Sequence, residues 1–340
     1  PQYRGLTLGL TDYGGSGDLS ATDDDADEIK ITFENLTNTF SVQKQTGYIT
    51  KTQIQNWINT FVSGSSSSDV FLFHYSGHGY YESGQSRLYL SDGSNISMTE
   101  LRSYLNTING TKIVLIDACE SGNFTSLSSG RQMTRQERIE QMTLFNQGVL
   151  QAFEEDTDQR GTFDSEYQYY VLTGAAIDEY SYEDGYLNHG FFTFFFSDGL
   201  GNVGSSNPNG SFDYTYNADG YGTGGVLDGQ VTFRELYNYS KDKVLDYIQA
   251  DSGDTQTVQG NHTTSDFIVG TYASSQNNPP SKPSNPTPVS GSLGVSTTQS
   301  LSWSASGATG YDVYFGTSSN PPKVSTNQSF NSYNPGVLST

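Results

Sequence analysis

Apolar residues in the first 120 positions alternate between two periods. Leu6, Leu8 and Leu10 make a short apolar strand, and Ile29, Phe33, Leu36 and Phe40 then share one helix face. Thr50 and Gln53 form a T-x-x-Q capping box ahead of Ile54, Trp57, Ile58 and Phe61, which predicts a second helix. Val70 to Tyr75 is a continuous apolar run, as expected of a strand buried on both faces. Ser97 and Glu100 read as another capping box before Leu101, Tyr104, Leu105 and Ile108, and Lys112 to Asp117 reads as a second buried strand. This alternation predicts an α/β fold, a mostly parallel sheet sandwiched by helices.

Positions 120–167 break the rhythm. They are polar, with one predicted helix over 134–153 and an acidic run at 154–158. Tyr169 to Thr173 resumes the sheet, a helix follows Gly190, another runs from Thr232 to Ile248, and Asp266 to Val269 closes the domain. The domain is thereby expected to span 1–274. A Pro/Ser/Asn-rich linker follows over 275–290. Beyond it, over 291–340, Leu301/Trp303 and Tyr311/Val313/Phe315 alternate with polar residues, the period of half-buried strands.

Composition narrows the function. The formal net charge is −21, a field that repels phosphate backbones and argues against nucleic-acid partners. A single cysteine excludes an intrachain disulfide, and no apolar run reaches the length of a membrane span. Low Lys, high Tyr/Ser/Thr/Asn and the tail module favour an extracellular or cell-surface protein, its signal peptide removed or left out before Pro1. The oligomeric state is left open.

Two strand ends carry chemistry, His74-Tyr-Ser-Gly-His78-Gly79 and Asp117-Ala-Cys119-Glu-Ser-Gly122. Cysteine attack on a carbonyl needs a thiolate, an imidazole to activate it, and N–H donors for the oxyanion. His78 and Cys119 can meet at adjacent strand ends, with the backbone N–H groups of Gly79 and Cys119 as oxyanion donors. Taken singly, a lone buried cysteine such as Cys119 is more often an inert small hydrophobe than a nucleophile, and a lone histidine after a strand is usually structural. His74, His78 and one cysteine lack the ligand spacing of a zinc site.

The pair of motifs resembles the caspase-like cysteine peptidases, bacterial metacaspase-type members in particular, from about Arg4 to Tyr272. The Q-A-C-x-G signature is not matched, since Asp117 replaces the Gln. The resemblance implies a His78/Cys119 dyad needing no cofactor, with His74 a packed core residue. His189-Gly-Phe-Phe-Thr193 also resembles a family segment. Positions 291–340 resemble the start of a fibronectin type III-like β-sandwich, too short for the roughly seven strands such a domain needs.

Asp117 and Cys119 are two apart on a strand and project to one face. A carboxylate beside the nucleophile suits a basic P1 side chain. Asp25, in Leu19 to Ala26, takes the place of a second pocket aspartate by resemblance, which implies protein or peptide substrates cut after Arg or Lys. The acids at 23–27 also read as charges favouring a helix N-terminus. C-E-S-G is similar to legumain-like peptidases, which prefer Asn, and adds Glu120 to the candidate pocket. An Asn- or Asp-specific peptidase is one alternative, and a catalytically idle surface binding or adhesion module another. Arg160, Arg131, Arg135 and Arg138 are candidate self-cleavage sites, or partners for Glu137, Glu140 and the acidic run. Calcium is a further possibility: Asp219, Asp228 and Glu235 are weak ligand candidates, equally readable as a turn before a helix.

Overall fold

Five parallel strands organise the chain in a computed structural model. The described residues are 1–15, 17–120, 133–154, 168–174, 189–203, 211–212, 217–251, 257–271, 282–305, 310–318, 321–328 and 330–338. They divide into two units, Pro1–Ala273 and Ser274–Thr340.

In the first unit the order is β1 (Tyr3–Leu10), α1 (Thr22–Glu34), β2 (Ser41–Gly47), α2 (Lys51–Thr60), β3 (Val70–Glu82), β4 (Gln85–Tyr89) and β5 (Asn95–Ser97). Then come α3 (Met98–Leu105), β6 (Thr111–Glu120), α4 (Arg135–Ala152), β7 (Tyr169–Thr173) and α5 (Phe191–Gly199). β8 (Asn202–Val203), β9 (Ser211–Phe212), β10 (Gln230–Thr232), α6 (Phe233–Asp251), β11 (Gln259–Gly260) and β12 (Ile268–Thr271) complete it. The main sheet runs β11-β7-β6-β3-β1-β2, parallel from β7 to β2 and antiparallel at β11.

Strand alternation divides the core in two. Leu72, Ile113, Leu115, Tyr170 and Leu172 pack with apolar residues of α1, α5 and α6 on one face. Phe71, Phe73, Tyr75, Val114, Ile116 and Val171 pack with α2, α3 and α4 on the other. The chain therefore closes both faces of its parallel strands, which is why those strands read as unbroken apolar runs.

Three strands escape the apolar pattern. β2 buries only Val42 of Ser41–Gly47, as an edge strand does. β4 and β5 are short and pair with each other and with β3. The β3–β4 turn is Ser83-Gly84, both residues at positive φ (53° and 81°), the geometry of a two-residue hairpin loop. β3 accordingly runs on to Glu82, and His78 sits inside a strand rather than at its end. The Ser97/Glu100 reading is corrected in part. Ser97 caps α3 by accepting from the Glu100 N–H, but the Glu100 carboxylate is taken by Lys51 Nζ and the Tyr104 hydroxyl.

α1 approaches β1 closely at Gly9, where an added Cβ would lie 2.1 Å from the Thr22 carbonyl oxygen. Gly9→Ala must push the start of α1 away from the sheet, and we expect a loss of about 1–3 kcal/mol in stability, as for overpacking. Urea denaturation monitored by circular dichroism measures it.

The second unit is β-rich. β13 (Ser284–Thr287), β14 (Leu301–Ser304) and β17 (Ser332–Tyr333) form one antiparallel set, and β15 (Tyr311–Tyr314) with β16 (Lys323–Gln328) another. Trp303 packs edge-on against Tyr311 with ring centroids 5.4 Å apart.

Candidate active site

Toward the carboxyl ends of β3 and β6 the face covered by α1 and α5 turns polar, where ligands gather in open α/β sheets. His74, Ser76 and His78 alternate with Phe73, Tyr75 and Gly77, whose side of β3 belongs to the opposite core. In the β3–β6 ladder Ser76 lies opposite Asp117 and His78 opposite Cys119. The register thus sets the two dyad candidates side by side on neighbouring strands.

His78 is buried and held from three directions. Its Nε2 is 2.8 Å from the Gly17 carbonyl oxygen. A carbonyl only accepts, so Nε2 carries the proton and Nδ1 is the basic nitrogen of the neutral ring. The His78 N–H donates to the Tyr13 hydroxyl at 2.9 Å, and the Tyr75 hydroxyl donates to the His78 carbonyl at 2.7 Å. The Tyr13 ring itself lies 4.5 Å from the imidazole, centroid to centroid. Asp18 secures the loop that supplies Gly17 by accepting from the N–H groups of Tyr13 and Gly15.

Tyr13→Phe strips the acceptor from the His78 N–H, which costs about 1–3 kcal/mol when a buried donor is left unpaired. We expect that cost to appear mainly in kcat, with KM little changed, because the hydroxyl touches the peptide group of His78. Steady-state kinetics on a cleavable peptide distinguishes this from loss of binding.

Two carboxylates share this face. Asp25, on α1, accepts from the Ser76 hydroxyl at 2.6 Å and from the Gly190 N–H at 2.9 Å. Asp117, on β6, accepts from the Thr193 hydroxyl at 2.7 Å and the Thr193 N–H at 3.1 Å. Both are almost fully buried. Gly190 fits between them: an added Cβ would lie 2.5 Å from Asp117 Oδ2 and 3.1 Å from Asp25 Oδ2. Burial, and then the negative charge of Asp25, pushes the Asp117 carboxyl up to about 7.

The sequence assigned no role to several residues found here, among them Gly17, Tyr13, Ser76 and His189. His189 is buried, and its Nδ1 lies 3.5 Å from Asp25 Oδ1. His74 is a packed residue: it is buried, hydrogen-bonded to Thr7 Oγ1 at 2.7 Å, and burial pushes it down to about 4. Glu120 ends β6 opposite Gly79. Gly79 pairs with Leu88 of β4 on its other side. Arg135 opens α4 and Arg138 lies in its first turn, whereas Arg131 and Arg160 fall outside the described residues.

The weak calcium candidates each accept backbone N–H groups. Asp219 accepts from the N–H groups of Asp228 and Gly229, and Asp228 from that of Gln230. Glu235 accepts from Gly220, Val226 and Thr232 N–H groups and, with Thr232, forms a capping box on α6. These carboxylates organise a turn before a helix, and among the described residues no group of three or more His, Cys, Asp or Glu is placed to hold a metal ion. Among the described residues, too, no helix is long and apolar enough to cross a membrane.

The mostly parallel sheet with helices on both faces is a caspase-like α/β fold. The Caspase domain model matches residues 4–216, and the chain belongs to that family, whose members are cysteine proteases. No curated protein matches the chain. Among solved structures it is similar to the Drosophila initiator caspase Dronc (12% identity, 78% of this chain and 81% of that one, TM-score 0.44). A Geobacter sulfurreducens protein aligns at 19% identity over 81% of this chain and 96% of that one, TM-score 0.41. The pro-sf-caspase-1 structure aligns at 12% identity over 77% and 88%, TM-score 0.44.

Proposed function

We propose that the chain is a cysteine endopeptidase of metacaspase type that cuts after Arg or Lys, with His78 and Cys119 as its dyad. The observation that carries this reading is the register of β3 and β6, which sets His78 opposite Cys119. In the proposed reaction the Cys119 thiol passes its proton to His78 Nδ1, and the thiolate bonds to the substrate carbonyl carbon. The developing oxyanion is met by the N–H groups of Gly79 and Cys119. Collapse breaks the peptide bond while His78 returns the proton to the departing amine. Water then hydrolyses the thioester and frees the enzyme.

Basic P1 selection is supported by Asp25 and Asp117, two buried carboxylates within reach of one glycine. An acidic P1 would face both charges. A positional-scanning peptide library tests the reading, which predicts Arg or Lys at P1; selection of Asn or Asp would replace it. Modification of Cys119 by a peptide-arginine chloromethyl ketone separates a working enzyme from an idle domain. Export from the cell and a fibronectin type III-like character for 291–340 belong to the same proposal.

Self-cleavage after Arg160 is expected, with Arg131 next, ahead of Arg135 and Arg138, which α4 holds in helical form. Incubating wild type and Cys119→Ala with and without calcium, and mapping termini by mass spectrometry, checks this. Wild type that stays one chain while cutting Arg peptides rules self-processing out.

A further inference from the structure

His189 is the buried histidine beside Asp25 that the proposed reaction does not use. Its imidazole is buried, and the next residue, Gly190, donates its N–H to the same Asp25 oxygen that lies 3.5 Å from His189 Nδ1. On α1 three carboxylates face it: Asp25, Glu28 and Asp24. Beyond Asp25 stand Asp117 on β6, and Ser76 and His74 on β3. The Phe194 ring packs 6.5 Å away on α5. No other cation in the described residues is paired with either pocket aspartate.

We propose that His189 is a specificity-determining residue, an internal cation that pairs with Asp25 before substrate binds and competes with the P1 cation of the substrate. This rests on the basic-P1 reading above. When Arg or Lys arrives, two like charges cannot share the buried carboxylate at full strength, and the imidazolium gives its proton to solvent. Asp25 keeps its other donors, the Ser76 hydroxyl and the Gly190 N–H, whichever cation is present.

The electrostatics agree with the geometry. Burial alone would lower the His189 pKa, but the nearby Asp25 carboxylate, then Glu28 and Asp24, outweigh it and raise it above the usual imidazole value. The imidazolium therefore persists to higher pH than an ordinary imidazole and disappears as pH rises further. Preference for a charged P1 should climb over that range. Asp117 and Glu28, both pushed up to about 7 by burial first, also titrate within the pH range tested, so the variant must be compared with wild type at each pH.

The experiment uses two peptides differing only at P1, Arg against its uncharged isostere citrulline. The ratio of their kcat/KM values is measured from pH 5.5 to 8.5 in wild type and His189→Gln. The proposal expects the variant to show the higher Arg/citrulline ratio at acid pH, by several-fold, with the two enzymes converging at alkaline pH. A variant-to-wild-type quotient that is flat with pH, or below one at acid pH, overturns it. Wild type with no Arg preference at any pH would instead sink the basic-P1 reading itself. A second measurement does not depend on the folding of His189→Gln. In Cys119→Ala protein, the histidine NMR signals are followed on adding the uncleaved Arg peptide, the chain having only four histidines. The His189 imidazole should move toward its neutral form with the Arg peptide and not with citrulline; no such movement overturns the competition.

Discussion

Cys119→Ala protein unfolds at the wild-type temperature and cleaves no peptide above background, and His78→Ala loses turnover as completely. The expected loss is the largest of any single change, because each removes a bond-making or proton-carrying atom rather than a contact. The two differ in stability. His78 is buried and held by Gly17, with tyrosine hydroxyls on its peptide groups, so His78→Ala leaves a cavity and a carbonyl without its donor. His78→Gln, which retains a donor, is the better-folded control. Activity assays paired with thermal melts check both claims, and substantial turnover by folded Cys119→Ala protein would remove the dyad.

Asp117→Asn separates charge from shape. The amide oxygen still accepts from Thr193, but only Asp25 then remains to meet Arg, and kcat/KM for Arg peptides should fall by about 2–5 kcal/mol in transition-state terms. Citrulline peptides should be cut nearly as before. Equal losses for both would make Asp117 a support of the strand. Stability should change the other way. Burial raises this carboxyl to about 7, against roughly 3.9 for an unfolded aspartate. Between those values the folded chain binds more protons than the unfolded one, so wild-type stability declines as pH rises through the window. Asparagine removes that decline. The variant's Tm should exceed the wild-type value at pH 8, and the difference should close as pH falls through the carboxyl range.

Much of this was legible because buried parallel strands leave continuous apolar runs, and β3, β6 and β7 are such runs. The dyad candidates and Asp117 follow two of them directly. What escaped was chemistry without a side-chain signature. The carbonyl of Gly17 is visible in no motif, and Tyr13 is one of 24 tyrosines until the chain folds it onto His78. His189 stood in a recognisable segment, yet its role depends on the start of α5 docking against α1. The acids at 219–235 read both as cation ligands and as a turn before a helix, because spacing alone does not show whether N–H groups or a metal satisfy a carboxylate. Thr232 and Glu235 did carry the better clue, a T-x-x-E pattern before an apolar helix.

The His78–Cys119 pairing also ties activity to the order of folding. The two residues are far apart in the chain and meet only through the alignment of β3 with β6, a non-local contact of the kind that forms late. A slip of one residue would turn His78 toward the opposite face. On the proposed dyad, a nascent chain carries no working protease while its sheet is incomplete, and recovery of peptidase activity during refolding would report correct strand alignment, a step that secondary-structure signals alone would miss.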